Sequence, residues 1–241
     1  MGSAVTVLRE GLRALGVREG SIAMAHVSMR EIGGRAEALL DALLAVLGER
    51  GTLLVYVDYQ STAAVPHFDP ERSPASVDYG VFAEIARQHP LAVRSRNPGA
   101  SMVAIGARAE WLCADHPLRY GYGPGSPLGK LVDAQGDVLL LGSDFDHVSL
   151  LHYAEHVARI PGKRVVTSEV ATCDGKVHIE EFETSEPVVA AMPKDYFAQV
   201  TRAFIASGAA GEAEVGGARS QRLPAENFVD FALTKMEREL G

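Results

Sequence analysis

The sequence predicts an α/β fold: a single domain over residues 1–241, with a central, mostly parallel sheet flanked by helices and an antiparallel β addition. Three observations predict it. Amphipathic helical runs alternate with short apolar runs through the first third of the chain, the rhythm of parallel strands joined by helices. The apolar runs at 21–25, 51–57 and 137–141 are short and dense, as buried strands are. Residues 164–184 change character and fold back about Asp174-Gly175, a hairpin turn.

In chain order, Val5, Leu8, Leu12 and Leu15 recur at helical spacing over 4–16, and Gly16 closes that helix. The strand at 21–25 leads into a polar, glycine-closed turn at 26–34, the kind of strand end where α/β proteins place ligands. A helix over 35–48 carries Leu39, Leu40, Leu43, Leu44 and Leu47 and stops at Gly48. After the strand at 51–57, residues 58–80 carry Pro and Ser and no regular pattern. So long a break inside a compact domain predicts a substrate-facing loop. A helix over 81–89, a polar turn at 93–98, a strand at 101–105 and a short helix at 107–114 follow.

The run 120–131 is glycine-rich but lacks the Gly-Lys-Ser/Thr of a phosphate loop. It predicts a rigid turn into a helix that starts at Pro127 with Ser126 as cap. Strands are expected at 164–167 and 170–172. Residues 177–184 read as a strand with an acidic face. Helices are expected over 194–207 and 227–240, with loose chain around the glycines of 208–217.

The formal net charge of −8 argues against a nucleic acid partner, which needs a basic face, and suits a cationic ligand. Cys113 and Cys173 stand in no metal or redox spacing, which fits a reduced, cytoplasmic compartment. No apolar run is long enough to span a membrane, so no membrane partner is expected, and the protein is expected as a monomer or homodimer.

The stretch 142–156 carries the chemistry. It contains Asp144, Asp146, His147, His152, Glu155 and His156, directly after the core strand at 137–141. Titratable groups crowded at the end of a core strand are costly unless they have a task. His152, Glu155 and His156 spell His-x-x-Glu-His, a pattern shared with one class of zinc peptidases. Zinc would need a third ligand, and Glu180, Glu181 and Glu183 are candidates with nothing to choose between them. There is no Gly-x-Ser-x-Gly elbow for a serine nucleophile, and neither cysteine has an activating neighbour. Histidines and carboxylates at strand ends suit a general base acting directly on a bound substrate.

Five stretches, in order over most of the chain, then carry a family resemblance. They are His26-Val27-Ser28-Met29-Arg30-Glu31-Ile32-Gly33, Pro66-His67-Phe68-Asp69-Pro70, Arg94-Ser95-Arg96-Asn97-Pro98-Gly99-Ala100-Ser101, Tyr120-Gly121-Tyr122-Gly123-Pro124-Gly125-Ser126-Pro127-Leu128 and Leu150-Leu151-His152-Tyr153-Ala154-Glu155-His156. In these the chain resembles the aminoglycoside 3-N-acetyltransferases, antibiotic-modifying enzymes distinct in fold from the GNAT acetyltransferases. The resemblance implies acetyl-CoA as co-substrate and no metal. It implies the 3-amino group of a 2-deoxystreptamine aminoglycoside as acceptor, and resistance as the outcome.

The same resemblance places the catalytic histidine on His152, the early loop histidine on His26 and the acidic strand on 180–183. It implies Glu181 as first choice to orient His152, with Glu155 and Asp146 as alternatives. The acetyl donor is expected against His26, Val27, Ser28, Met29 and Arg30, with Arg94, Ser95, Ser126, Pro127 and Leu128. Asp58, Asp69, Asp146, Ser149, Glu181 and Glu183 are expected to hold the acceptor's ammonium groups, with Asp195 as a further candidate. Ser149 keeps the hydroxyl where many relatives have threonine. Asp146-His147-Val148 departs from the family pattern, a difference expected to bear on the acceptor pocket. The alternatives are an acetyltransferase of the same fold acting on another natural-product amine, the zinc hydrolase, and a non-enzymatic binding module.

Overall fold

A computed structural model describes residues 2–241, with side-chain surroundings from residue 4. In chain order the elements are α1 (Gly2–Ala14), β1 (Ile22–Val27), α2 (Met29–Ile32), α3 (Ala36–Leu47), β2 (Thr52–Tyr56), α4 (Gly80–Arg87), β3 (Val93–Arg94), β4 (Met102–Gly106), α5 (Ala109–Cys113), α6 (Pro127–Asp133), β5 (Asp137–Leu141), α7 (Leu150–Val157), β6 (Val166–Thr172), β7 (Gly175–Glu181), α8 (Tyr196–Ala206), β8 (Gly211–Val215), β9 (Ala218–Pro224) and α9 (Ala225–Leu240). The central sheet runs β3-β4-β2-β1-β5-β9-β8. At its centre β2, β1 and β5 pair in parallel, while β4 and β9 pair antiparallel to their neighbours. Five of the seven strands therefore point the same way. The β6–β7 hairpin is the separate antiparallel addition.

Strand periodicity divides the core. Met24, Leu54 and Leu140 face α5 through α9, whereas Ala23, Leu53 and Leu139 face α1, α3 and α4. Successive side chains of a strand point to opposite faces, so a continuously apolar strand is covered on both. That arrangement buries β1, β2 and β5 and leaves only their ends free for polar groups. The ends of these parallel strands carry His26 and Val27 from β1, Tyr56 and Asp58 from β2, and the 142–149 loop from β5. Gly142 has φ 63° and a Cβ there would lie 2.7 Å from Glu31 Cβ, so the 142–149 loop packs closely on α2.

Three expectations change. His26 and Val27 lie within β1 rather than in the turn after it, because β1 stays paired with β5 through Val27↔Leu141. The strands expected at 164–167 and 170–172 form one continuous strand, β6, in register with β7 along its length. The chain expected to be loose at 208–217 forms β8 and the turn into β9, a hairpin that completes the sheet beside β5. The predicted cap holds: Ser126 Oγ accepts from the Gly129 N–H at 3.2 Å and Pro127 takes the first position of α6.

Candidate active site

A cleft of about 1170 Å³ opens over the ends of β1, β2 and β5. His26, Val27, Ser28, Met29 and Arg30 line one wall. Tyr56, Tyr79 and Tyr122 line a second, and Asp144, Asp146, His147 and Ser149 a third. His152 and Glu155 stand on α7 where these walls meet, with Phe197 of α8 opposite. A cavity of about 160 Å³ adjoins the cleft, sharing Tyr122 and Thr184 with it, and is lined by Asp58 and Glu181.

Residues three apart on a helix share a face, and α7 uses that spacing to pair His152 with Glu155. His152 Nδ1 lies 2.7 Å from Glu155 Oε2, and the Glu155 side chain is only 5% exposed. A carboxylate only accepts, so Nδ1 carries the proton and Nε2 keeps its lone pair. The imidazole is packed between Tyr122 and Phe197, each ring centroid 4.9 Å away. The result is a fixed, oriented imidazole able to accept a proton in the cleft.

Glu181, expected to orient His152, has a different set of partners. Its Oε2 accepts from the Gly121 and Tyr122 N–H groups at 3.0 and 3.1 Å, and its Oε1 lies 3.6 Å from His156 Nδ1. Burial alone would push the Glu181 carboxyl up, but the nearby His156 imidazole and hydrogen bonds from the Phe182 and Tyr122 N–H groups outweigh it and hold the group below its ordinary value. Glu181 thus anchors the glycine turn that presents Tyr122 to His152. His156 is no surface residue: it packs on Tyr120 and Phe182, and a Cβ at Gly123 would come within 2.4 Å of its Nε2. The His-x-x-Glu-His run therefore forms two separate His–Glu contacts. Among the described residues no group of three His, Cys, Asp or Glu side chains is placed to hold a metal ion.

The His26 imidazole is enclosed at the end of β1, and its Nε2 has no hydrogen-bond partner. Burial pulls its pKa down to about 4, against a smaller upward pull from Asp144, so it is neutral at physiological pH. Asp58 goes the other way: burial pushes its carboxyl up to about 6, against the Tyr59 N–H and Arg94. Asp146 Oδ1 accepts from the Ala198 N–H at 3.0 Å and so secures the start of α8. Ser149 precedes α7 without a side-chain cap bond, leaving its hydroxyl to the cleft.

Other expected site residues lie outside both linings, for clear reasons. Arg94 donates to the carbonyls of Ser73 and Val57 and to Ser101 Oγ, which ties the 58–80 loop to the sheet. Ser95 Oγ accepts from the Met102 N–H and meets His116 Nδ1. Ser126, Pro127 and Leu128 are buried at the start of α6. Asp69 accepts from the Glu71 and Arg72 N–H groups in a local turn. Glu183 is exposed, 3.4 Å from Arg164, and Asp195 accepts from Gln199.

The sequence profile described as aminoglycoside 3-N-acetyltransferase matches residues 24–237. The chain belongs to this family. It is 36% identical to an aminoglycoside N(3)-acetyltransferase III of Pseudomonas aeruginosa, over 97% of this chain and 93% of that one. Its fold superposes on the structure of "AAC-IIIb binary with CoASH" with a TM-score of 0.94 and 42% identity, covering 99% and 97% of the two chains. It superposes on "AAC-VIa bound to Sisomicin" with a TM-score of 0.90 and 32% identity, covering 99% and 98%. The family is one of acyltransferases.

Three contacts at this candidate site had escaped sequence reasoning. Tyr56 and Tyr122 share a buried O–H···O bond of 2.8 Å that joins β2 to the glycine turn. Lys163 Nζ donates to the carbonyls of Glu155, His156 and Ala158 at 2.9, 2.9 and 2.8 Å, satisfying the C-terminal end of the helix that carries His152. Lys194 reaches the cleft from the segment before α8. Tyr56 and Tyr122 lie far apart in sequence, and a lone lysine carries no motif.

Proposed function

We propose that the chain transfers the acetyl group of acetyl-CoA to the 3-amino group of the 2-deoxystreptamine ring of aminoglycosides, conferring resistance, by direct attack with His152 as general base. The observation that carries the mechanism is the His152–Glu155 pair at 2.7 Å, inside the cleft and with Nε2 unoccupied by the pairing. The acceptor nitrogen attacks the thioester carbon, its proton passes to His152 Nε2, and the C–S bond breaks to release the CoA thiolate, which takes that proton from the imidazolium and leaves as the thiol. Glu155 orients the imidazole and stabilises the imidazolium as it forms. Positioned base catalysis of this kind contributes roughly 10²–10⁴-fold.

The donor lies against His26, Val27, Ser28, Met29 and Arg30, which line the cleft at the end of β1. The complex of a similar protein with CoASH supports a CoA donor. The acceptor's ammonium groups meet the charges of Asp58 and Glu181, residues of the adjoining cavity, with Ser149 and Asp146 at the cleft. The whole of residues 1–241 acts as one domain, in the cytoplasm where acetyl-CoA is made.

A thiol-release assay with acetyl-CoA across a panel of aminoglycosides, with product regiochemistry by NMR, tests the proposal. Acetylation at the 3-amino group supports it. Acetyl transfer only to other natural-product amines replaces the acceptor, and no transfer to any amine rejects the reaction.

A further inference from the structure

A buried tyrosine hydroxyl needs a hydrogen-bond partner, and the group that supplies one fixes where the ring can lie. Tyr196, at the start of α8, is 2% exposed. Its O–H donates to Glu239 Oε2 at 3.0 Å, in the last turn of α9. The other carboxylate oxygen, Oε1, accepts from Lys235 Nζ at 2.6 Å and from Arg238 Nη2 at 2.9 Å. Lys235 first, then Arg238 and the Tyr196 hydroxyl, pull the Glu239 carboxyl down to about 2 against burial, so it is ionised and its bond to Tyr196 is charge-assisted.

Successive side chains of a helix point about 100° apart. α8 accordingly turns Tyr196 toward α9 and Phe197 toward α7, where the Phe197 ring lies 4.9 Å from the His152 imidazole. The same turn of α9 also reaches α7. Glu237 Oε1 accepts from the Arg159 N–H at 2.9 Å, just beyond the end of that helix. One turn of α9 thus holds both helices whose side chains meet at His152. Other contacts keep α8 docked: the Ala198 N–H donates to Asp146, and Phe204 packs on Phe228 and Phe231 with ring centroids 5.0 and 5.5 Å away. The bond to Glu239 acts on the residue next to Phe197.

We infer that Glu239 is a positioning residue: through Tyr196 it sets how Phe197 packs on His152, and so the direction in which Nε2 faces the acceptor amine. Glu239 itself stands outside the cleft lining. The inference rests on His152 being the base of the proposed transfer.

The test uses Tyr196→Phe, which removes the hydroxyl and keeps the ring, Glu239→Gln, which removes the charge, and the double variant. Each single variant lowers kcat about tenfold, the scale of a small misplacement of the base. In Glu239→Gln, KM for acetyl-CoA and for the aminoglycoside stays within about twofold, because no substrate contact is lost. The double variant falls no further than the lower single one, since both break one bond. Proton NMR of the variants shows the His152 ring resonances displaced as the Phe197 ring moves. A lower melting temperature with kcat unchanged, additive losses in the double variant, or unmoved His152 resonances overturns the inference. If the unmodified protein transfers acetyl to no aminoglycoside, the proposed reaction fails, and the NMR comparison still decides the contact. Displaced His152 resonances in both single variants support it, and unmoved ones overturn it.

Discussion

His152 and Glu155 stand one helical turn apart on α7, with the imidazole Nδ1 2.7 Å from the carboxylate Oε2. In the proposed mechanism Glu155 is the carboxylate that orients His152. Glu155→Gln keeps the shape but offers Nδ1 either an amide oxygen or an amide N–H, and it removes the charge that stabilises an imidazolium. The expected outcome is a fall in kcat of about 10²-fold, with KM for acetyl-CoA nearly unchanged. Glu181→Gln acts through the glycine turn, so it lowers thermal stability as well as turnover. Steady-state kinetics with melting curves on both variants separates the two roles.

Asp58 is expected to trade stability for function. Its folded pKa, about 6, lies above the ordinary carboxylate value of 3.8. Its protonated form therefore stabilises the fold fully below about pH 4, and that contribution is lost as pH rises through about 6. At pH 7.5 the buried charge costs on the order of 2–3 kcal/mol. Asp58→Asn keeps an acceptor for the Tyr59 N–H, which donates to Oδ1 at 2.7 Å. The variant should melt several degrees higher at pH 7.5 and show little change at pH 4, while KM for the aminoglycoside rises. Scanning calorimetry at the two pH values checks the sign.

Lys163 closes the end of α7 with three N–H···O bonds. Burial pulls its pKa down, while Glu155 and Glu181 pull the other way and favour the charged ammonium. Lys163→Met leaves three carbonyls without this donor and should cost about 1–3 kcal/mol. Because the loosened turn includes Glu155, kcat should fall too, with a weaker downfield proton signal from His152 Nδ1–H. Lys163→Arg, which retains donors and charge, should recover much of both losses. Denaturant unfolding and proton NMR measure the two effects.

Local signals in the sequence were enough for the elements that position the site. The leucine spacing of α3, the Ser126-Pro127 start of α6 and the apolar runs of β1, β2 and β5 each depend on neighbours within a few residues. His152 was visible for the same reason, and its partner three residues on stood within the same motif. What needed the fold was any relation across it. Arg94 looked like a free cation because Val57 and Ser73, which accept from it, are 37 and 21 residues away. Glu181 looked like the orienting acid because nothing local reveals that Gly121 and Tyr122 donate to it. The β8–β9 hairpin was hidden by glycines and by a polar composition that becomes a strand only beside β5 and α1.

The central claim is that His152 takes the proton of the attacking amine. Its most direct test is thiol release from acetyl-CoA by His152→Ala with a saturating aminoglycoside, alongside calorimetric binding of CoA. The account predicts turnover lower by about 10²–10⁴-fold with CoA affinity unchanged. Near-normal turnover in that variant would contradict it.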